Sequence, residues 1–499
     1  NDETRMCNPL PWSQDFADEF LKRKGYSIYP VLIHLILSGE EAGRTKCDYY
    51  DVLASLYQEN YFHTLQTWCE NHGISFCAHL LGEETLHGHT RFSGDYLRQN
   101  RYLDIPGADH LGKGIGSLNL KFTSTGAHSY GKDMTAVEMF AGAGLDLTYD
   151  EYIRMVTWAF QCGMKCIVNH GFSYSLRGDR INDWPPSQFF QWVGWEHMKE
   201  GNEMIRRLHY ALTGGKSEEQ ILVYHPLESF WLHYEPDLNY TYAYHKGPIT
   251  KSEKAADIDQ GMQVLLNRLL EENKGFEMIH KDALDNFVVK GKQIENVVMN
   301  QQFDVLILPY CQVLSIEMLM KCLAFASHGG KIFIFSEIPT YAMKKEDDEK
   351  LVALTKQLME YESVVFLERT EEDALFSEIE NSIQPPLKVV EGIGKNKNNR
   401  PTYERRLQDP YMHHGEDLSG VMYVHYKKGN LRNTVFMNYD EMETEVIVEV
   451  ESLSIPELWD TMTGEVKIPE HEKIGEMIYR CKFILPVGYG IILQSHYVK

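Results

Sequence analysis

The chain has 499 residues, room for about three domains, and its 43% hydrophobic and 12% aromatic content can fill several cores. Its 72 acidic residues outweigh 49 basic ones, for a formal charge of −23, which argues against a nucleic-acid surface and against binding to anionic lipid. It contains no low-complexity tract and no apolar run of membrane length.

In chain order, Asp15 to Lys24 reads as an amphipathic turn and helix, and Tyr49 to Asn71 as one long helix closed by Gly73. Ile74 to Leu81 follows as a buried strand. The same grammar returns with Met134 to Phe140 as a strand, Asp150 to Gln161 as a helix, and Met164 to Asn169 as a strand. Helix, glycine, apolar strand and polar strand end make a βα repeat on a parallel sheet, assigned to residues 1–215. A second βα system spans 216–385, with strands at Ile221 to Tyr224, Phe303 to Leu308 and Lys331 to Phe335, and a helix from Asp259 to Asn273. It lacks a GxGxxG turn or a P-loop, so nucleotide binding has little support. From 386 to 499 the pattern changes to short alternating strands (Val421 to Tyr426, Thr434 to Met437, Glu445 to Val450, Ile478 to Ile484, Gly490 to Leu493), a β-sandwich by pattern. Gly394 to Arg400 reads as a polar linker.

The nine cysteines are scattered and include no CxxC pair, which speaks against a zinc ribbon and for free thiols. Free thiols suit a reducing compartment, so a cytoplasmic location is expected. The first residue is Asn1 rather than Met, so an upstream signal stays open.

In a parallel βα barrel, chemistry sits at the C-terminal strand ends. That rule singles out Asp2-Glu3, His79, Glu83-Glu84, Glu138 and Asn169-His170. A carboxylate inside an apolar run, as Glu138 is, costs desolvation energy unless it has partners or a task. Each candidate also has a structural reading. Glu138 can bond to neighbouring backbone or an arginine, His79 and His128 can be hydrogen-bonded core histidines, and Glu83-Glu84 can be a solvated loop pair. Trp184 offers a flat face on which a sugar could stack, although tryptophans in such loops also serve packing. Two carboxylates from different strands, surrounded by histidines, amides and aromatics, meet the needs of glycoside hydrolysis. A barrel lyase or isomerase would use similar residues.

Several segments, in their order and spacing, resemble glycoside hydrolase family 106, the α-L-rhamnosidase-like group of the large barrel glycosidase clan. They run from Asp2-Glu3-Thr4-Arg5 and NPLPWSQDFADEFLKRKGY through WCENHGISFCAHLLGEE, SGDYLRQNRYLDIPGADHL and AHSYGKDMTAVEMFAGAG to CIVNHGFSYS, DWPPSQF and ELWDTMTGE. The resemblance implies the C-terminal half of a (β/α)₈ barrel, a flavodoxin- or glutamine-amidotransferase-like α/β domain with a structural role, and a β-sandwich. It places Glu3 at the fourth-strand position of the general acid and Glu138 at the seventh-strand position of the base or nucleophile. His79, Glu83, Glu84, His128, Asn169, His170, Tyr174 and Trp184 become candidate substrate-binding residues. It further implies inversion, for which the carboxyls stand about 6.5–9.5 Å apart, and a use of calcium, with no residues assigned as its ligands. The sequence departs from the family in having Thr4 where Asp-Glu-Pro is the pattern.

On this reading the first half of the barrel precedes Asn1. The expected partners are therefore a glycoside or oligosaccharide, and either a polypeptide supplying the other barrel half or a second copy of the chain. The alternatives are a β-galactosidase-like enzyme of the same clan and a non-catalytic carbohydrate-binding or assembly protein.

Overall fold

The computed structural model describes residues 5–6, 8–238, 250–393, 413–414 and 420–497. Four strands, Cys77–Ala78, Ile105–His110, Ala136–Met139 and Cys166–Asn169, lie side by side in that order, all parallel. Helices Asn119–Ser129, Tyr149–Gln161 and Met198–Leu212 follow the second, third and fourth strands, which is the repeat of a βα barrel. Thr148 and Glu151 form a reciprocal capping box at the start of the second of these helices.

The register separates the two faces of the sheet. Gly107, Ala136 and Cys166 stand in one row across it, and Asp109, Glu138 and Val168 in the next. Side chains alternate along a strand, so these rows face the concave side. There Cys166 is exposed and Val168 is 46% exposed. The intervening residues Ala78, Val137 and Met139 are buried against the helices. A Cβ at position 107 would lie 2.7 Å from the carbonyl oxygen of Ala78 and 3.2 Å from His79 Cβ, so this close strand approach requires glycine.

The segment read as one helix from Tyr49 to Asn71 is two. Helix Glu40–Tyr57 starts earlier, and a π-turn at Gln58–Phe62 separates it from His63–Asn71. The extra residue of a π-turn rotates the apolar stripe, which leaves Trp68 55% exposed.

The middle of the chain builds a five-stranded parallel sheet, ordered Val364–Leu367, Lys331–Phe335, Val305–Pro309, Ile221–Tyr224, Phe276–Ile279. This is the flavodoxin-like order, in which ligands bind at the point where the strand order reverses, between the first and third strands. Here that point is filled. His225, just past the first strand, is fully buried with Nε2 3.2 Å from Nδ1 of His89.

Two antiparallel sheets of six and four strands complete the fold. One edge strand of the larger sheet is Lys216–Ser217, which pairs with Tyr426 and Lys427. The chain therefore adds an edge to the sandwich before it enters the α/β sheet. Among the described residues the cysteines form no disulfide, and no helix is long and apolar enough to cross a membrane.

Buried ionic groups join the α/β unit to the half-barrel. Arg98 bonds Asp51 at 2.6 Å and Asp282 at 2.9 Å, with its own side chain 3% exposed. Lys121 lies 3.6 Å from Glu219 and 3.8 Å from Glu277. Burial of such charges is tolerated only when they are paired.

Candidate active site

The C-terminal ends of the four strands bring together His79, Asp109, Glu138 and His170. Glu138 is the second-last residue of its strand and faces the concave side, with its side chain 24% exposed. His79 Nε2 donates to Glu138 Oε2 at 3.1 Å. This hydrogen bond holds the Glu138 carboxyl below the usual carboxylate range, against the opposing effect of burial and with help from the charges of His79 and His170. Burial acts to lower the basicity of His79, but the Glu138 hydrogen bond and the charges of Asp109 and Glu138 outweigh it, so His79 holds its proton above the ordinary histidine value. The result is a hydrogen-bonded His79–Glu138 pair on the open face of the sheet, in which each partner favours the charged form of the other.

Glu83 lies beyond the first strand end and is 2% exposed. Burial first, and then the charges of Glu84 and Asp109, push its carboxyl well above the usual range. Its Oε1 has no hydrogen-bond partner among the described residues. Glu83, beyond the first strand, and Glu138, on the third, are thus driven in opposite directions, Glu138 toward the ionised form and Glu83 toward the protonated one. The Glu83 loop is braced from behind: His89 Nε2 donates to the Glu83 carbonyl at 2.8 Å. His89 Nδ1 must then accept from His225 Nε2, which fixes both tautomers. Burial lowers the pKa of His89 to about 4, so the brace is uncharged.

The remaining sequence candidates are placed as follows. Glu3 lies outside the described residues, as does Asp2, so the separation of the expected carboxylate pair is not defined. Glu84 is buried beside Glu83. His170 follows the fourth strand, its backbone N–H bonded to the Met139 carbonyl at 3.0 Å. Asn169 shares a register position with Met139, and its carboxamide oxygen accepts from Tyr152 of the outer helix at 3.4 Å, so it faces the helix layer. Tyr174 is 86% exposed and Trp184 45% exposed, both in the long segment after the fourth strand. His128 does not join the cleft. It lies in the last turn of helix Asn119–Ser129, and its Nδ1 donates to Glu277 Oε1 of the α/β sheet at 2.9 Å. Burial opposes ionisation of Glu277, but Lys121 and His128 overcome it and hold that carboxyl at about 2.

Asp109 is the site residue the sequence reading missed. It sits beside Glu138 in register and helps to charge His79. The signal was its place near the end of a strand, Ile105–His110, whose Pro106 and Gly107 disguised the strand pattern.

Calcium, implied by the family resemblance, finds no ready cage here. Among the described residues Glu83, Glu84, Asp109 and Glu138 do not bring three ligand atoms together, whereas calcium takes six to eight oxygens.

No family model matches the chain, and no curated protein matches it. Solved structures do resemble it. A rhamnosidase from Novosphingobium sp. PP1Y superposes with a TM-score of 0.71 at 15% identity, over 98% of this chain and 44% of that one. The exo-carrageenase GH42 from Bacteroides ovatus gives 0.58 at 10% identity, over 99% and 65%. A β-galactosidase from Bacillus circulans sp. alkalophilus gives 0.57 at 11%, over 91% and 68%. The chain therefore spans less than half the length of the rhamnosidase it resembles. At these identities the likeness is one of architecture, and it runs through half-barrel, α/β unit and sandwich: the chain has the fold of the multi-domain barrel glycosidases.

Proposed function

We propose that this chain contributes the Glu138 side of the active cleft in a glycoside hydrolase, with α-L-rhamnosides as the first substrate class. The observation that carries the reading is the His79–Glu138 pair at the strand ends, on the concave face, with Glu138 held ionised. An ionised carboxylate is what the base of an inverting glycosidase, or the nucleophile of a retaining one, must be. In the inverting case Glu138 would take a proton from a water approaching the anomeric carbon. His79 would orient the carboxylate and His170 would stand beside it. Asp109, by favouring the charged imidazole, would keep the pair ionised between turnovers. The general acid in this reading is Glu3, on the basis of the family resemblance.

The exposed concave face supports a further element of the reading. Val168 and Cys166 lie open on a side that a closed barrel would cover. A complete cleft then calls for four more βα units, from another polypeptide or from a longer form of this one, and the isolated chain should turn over slowly. The same openness is what favours the second reading, a carbohydrate-binding or assembly protein without a complete carboxylate pair. A β-galactosidase-like specificity in the same cleft is the other alternative.

A panel of p-nitrophenyl glycosides, including α-L-rhamnoside and β-D-galactoside, tests the proposal. Slow release of nitrophenol that disappears in Glu138→Gln, with the variant still folded, supports it. Release that is unchanged in Glu138→Gln removes Glu138 from the chemistry. Saturable sugar binding with no release by either protein favours the binding reading.

A further inference from the structure

We infer that the joint between the half-barrel and the α/β unit holds a divalent transition-metal ion, zinc in type, bound by Asp95, His280 and Asp282. The site is separate from the Glu138 cleft and does not depend on what that cleft does. One ligand atom from each of the three residues lies within 4.8 Å of the others. Asp95 caps the helix Tyr96–Gln99 on the barrel side. His280 and Asp282 flank Lys281 just after the strand Phe276–Ile279 of the α/β sheet. An ion here would therefore bridge the two units.

The independent observation is His280. It is 2% exposed, yet neither ring nitrogen has a hydrogen-bond partner among the described residues. A buried imidazole with both nitrogens idle has given up its hydrogen bonds to water and gained none in return. Tyr130 packs edge-on to His280, with ring centroids 5.6 Å apart, and its buried hydroxyl also lacks a partner. Polar groups left idle together, beside two carboxylates, describe a space meant for something that is neither apolar nor a side chain.

The surrounding charge leaves room for a cation. Arg98 donates its backbone N–H to Asp95 Oδ1 at 3.2 Å. Its guanidinium lies 3.6 Å from Asp95 Oδ2 and 2.9 Å from Asp282 Oδ2. Lys281 is 3.8 Å from Asp282 and also pairs with Asp51. Asp51 is shared with Arg98 and Lys24, and Lys24 in turn reaches Asp48. Among the described residues the cations paired with Asp48, Asp51, Asp95 and Asp282 are Lys24, Arg98 and Lys281, one fewer than the carboxylates. Arg98 competes for the same carboxylates, so binding is expected to be weaker than in a structural zinc site with four protein ligands.

Ligand chemistry selects the metal. One imidazole and two carboxylates suit zinc or its first-row neighbours, whereas calcium and magnesium favour all-oxygen sets. Metal–ligand bonds of about 2.0–2.2 Å put tetrahedral ligand atoms about 3.3–3.6 Å apart.

The experiment uses untagged full-length chain, stripped with chelator and dialysed against zinc. Elemental analysis should return about one zinc per chain, and zinc should raise Tm. Cobalt(II) in place of zinc should give visible d–d absorption. His280→Asn and Asp282→Asn should each lose the bound metal and the Tm rise, while Glu138→Gln keeps both. Absence of bound zinc and of cobalt absorption in the wild-type chain overturns the inference, whether or not the variants fold. So does zinc retained undiminished in His280→Asn, which would mean adventitious binding elsewhere.

Discussion

The two faces of the four-stranded sheet are made by the same strands and differ in what covers them. On the convex face Ala78, Val137 and Met139 are buried by the helices, and behind those helices the α/β unit is locked on through Arg98, Lys121 and His128. On the concave face Val168 and Cys166 meet solvent and Glu138 is half-buried. Packing therefore covers one side of the sheet, and the candidate site lies on the other. Substitutions on the two faces of the paired strands Ala136–Met139 and Cys166–Asn169 should separate the two.

The largest effect is expected at the covered side's ionic joint. Arg98→Ala leaves Asp51, Asp95 and Asp282 short of a buried cation, and removing one partner of such a network costs about 3–5 kcal/mol. Chemical denaturation should register it as a fall in the unfolding midpoint. Next comes a paired comparison. Val137→Ala opens a cavity in a fully buried position and should cost about 2 kcal/mol. Val168→Ala, on the open side, should change stability by no more than about 0.5 kcal/mol. Equal costs at the two positions would mean that the concave face is covered in solution.

A smaller effect should follow pH. Glu138 has a lowered folded-state pKa, so its contribution is present above its unfolded value of 4.5 and lost as pH falls through the lowered one. His79 has a raised pKa, so its contribution is present below its unfolded value of 6.5 and lost as pH rises through the raised one. The pair therefore stabilises most between pH 4.5 and 6.5, by about 1 kcal/mol or less for a partly open pair. Comparing Tm against pH for wild type and Glu138→Gln should show the gap narrowing on both sides of that window.

What the sequence made legible follows the same division. Ala136–Met139 and Lys331–Phe335 were readable because a short, continuous apolar run beside a glycine or a polar end fits little but a buried strand. The sandwich strands were readable because one buried face imposes a period of two. Helix Asn119–Ser129 was not readable: Lys121, Thr123, Ser124, Thr125 and His128 give it a polar composition, yet every residue in it is buried. His128 is met by Glu277 and Thr125 by the Met278 backbone N–H, both from a distant part of the chain, and no local pattern announces such partners. His128, which the sequence offered both as a substrate-binding residue and as a hydrogen-bonded core histidine, is paired with Glu277 in this way. Glu138 and His79 were found as candidates because a charged or polar group interrupts an apolar strand. Their pairing depended on strand register, which sequence alone does not supply.

The most direct test is the titration of His79 and Glu138 by NMR, with selectively labelled histidine and glutamate, in the wild-type chain and in Glu138→Gln. The expected result is a His79 proton held above the ordinary histidine value and a Glu138 carboxyl that titrates below its ordinary one, with His79 falling back once residue 138 is uncharged. A His79 resonance that titrates identically in both proteins would show that no ion pair forms at the strand ends, and Glu138 would lose its claim to be poised for sugar cleavage.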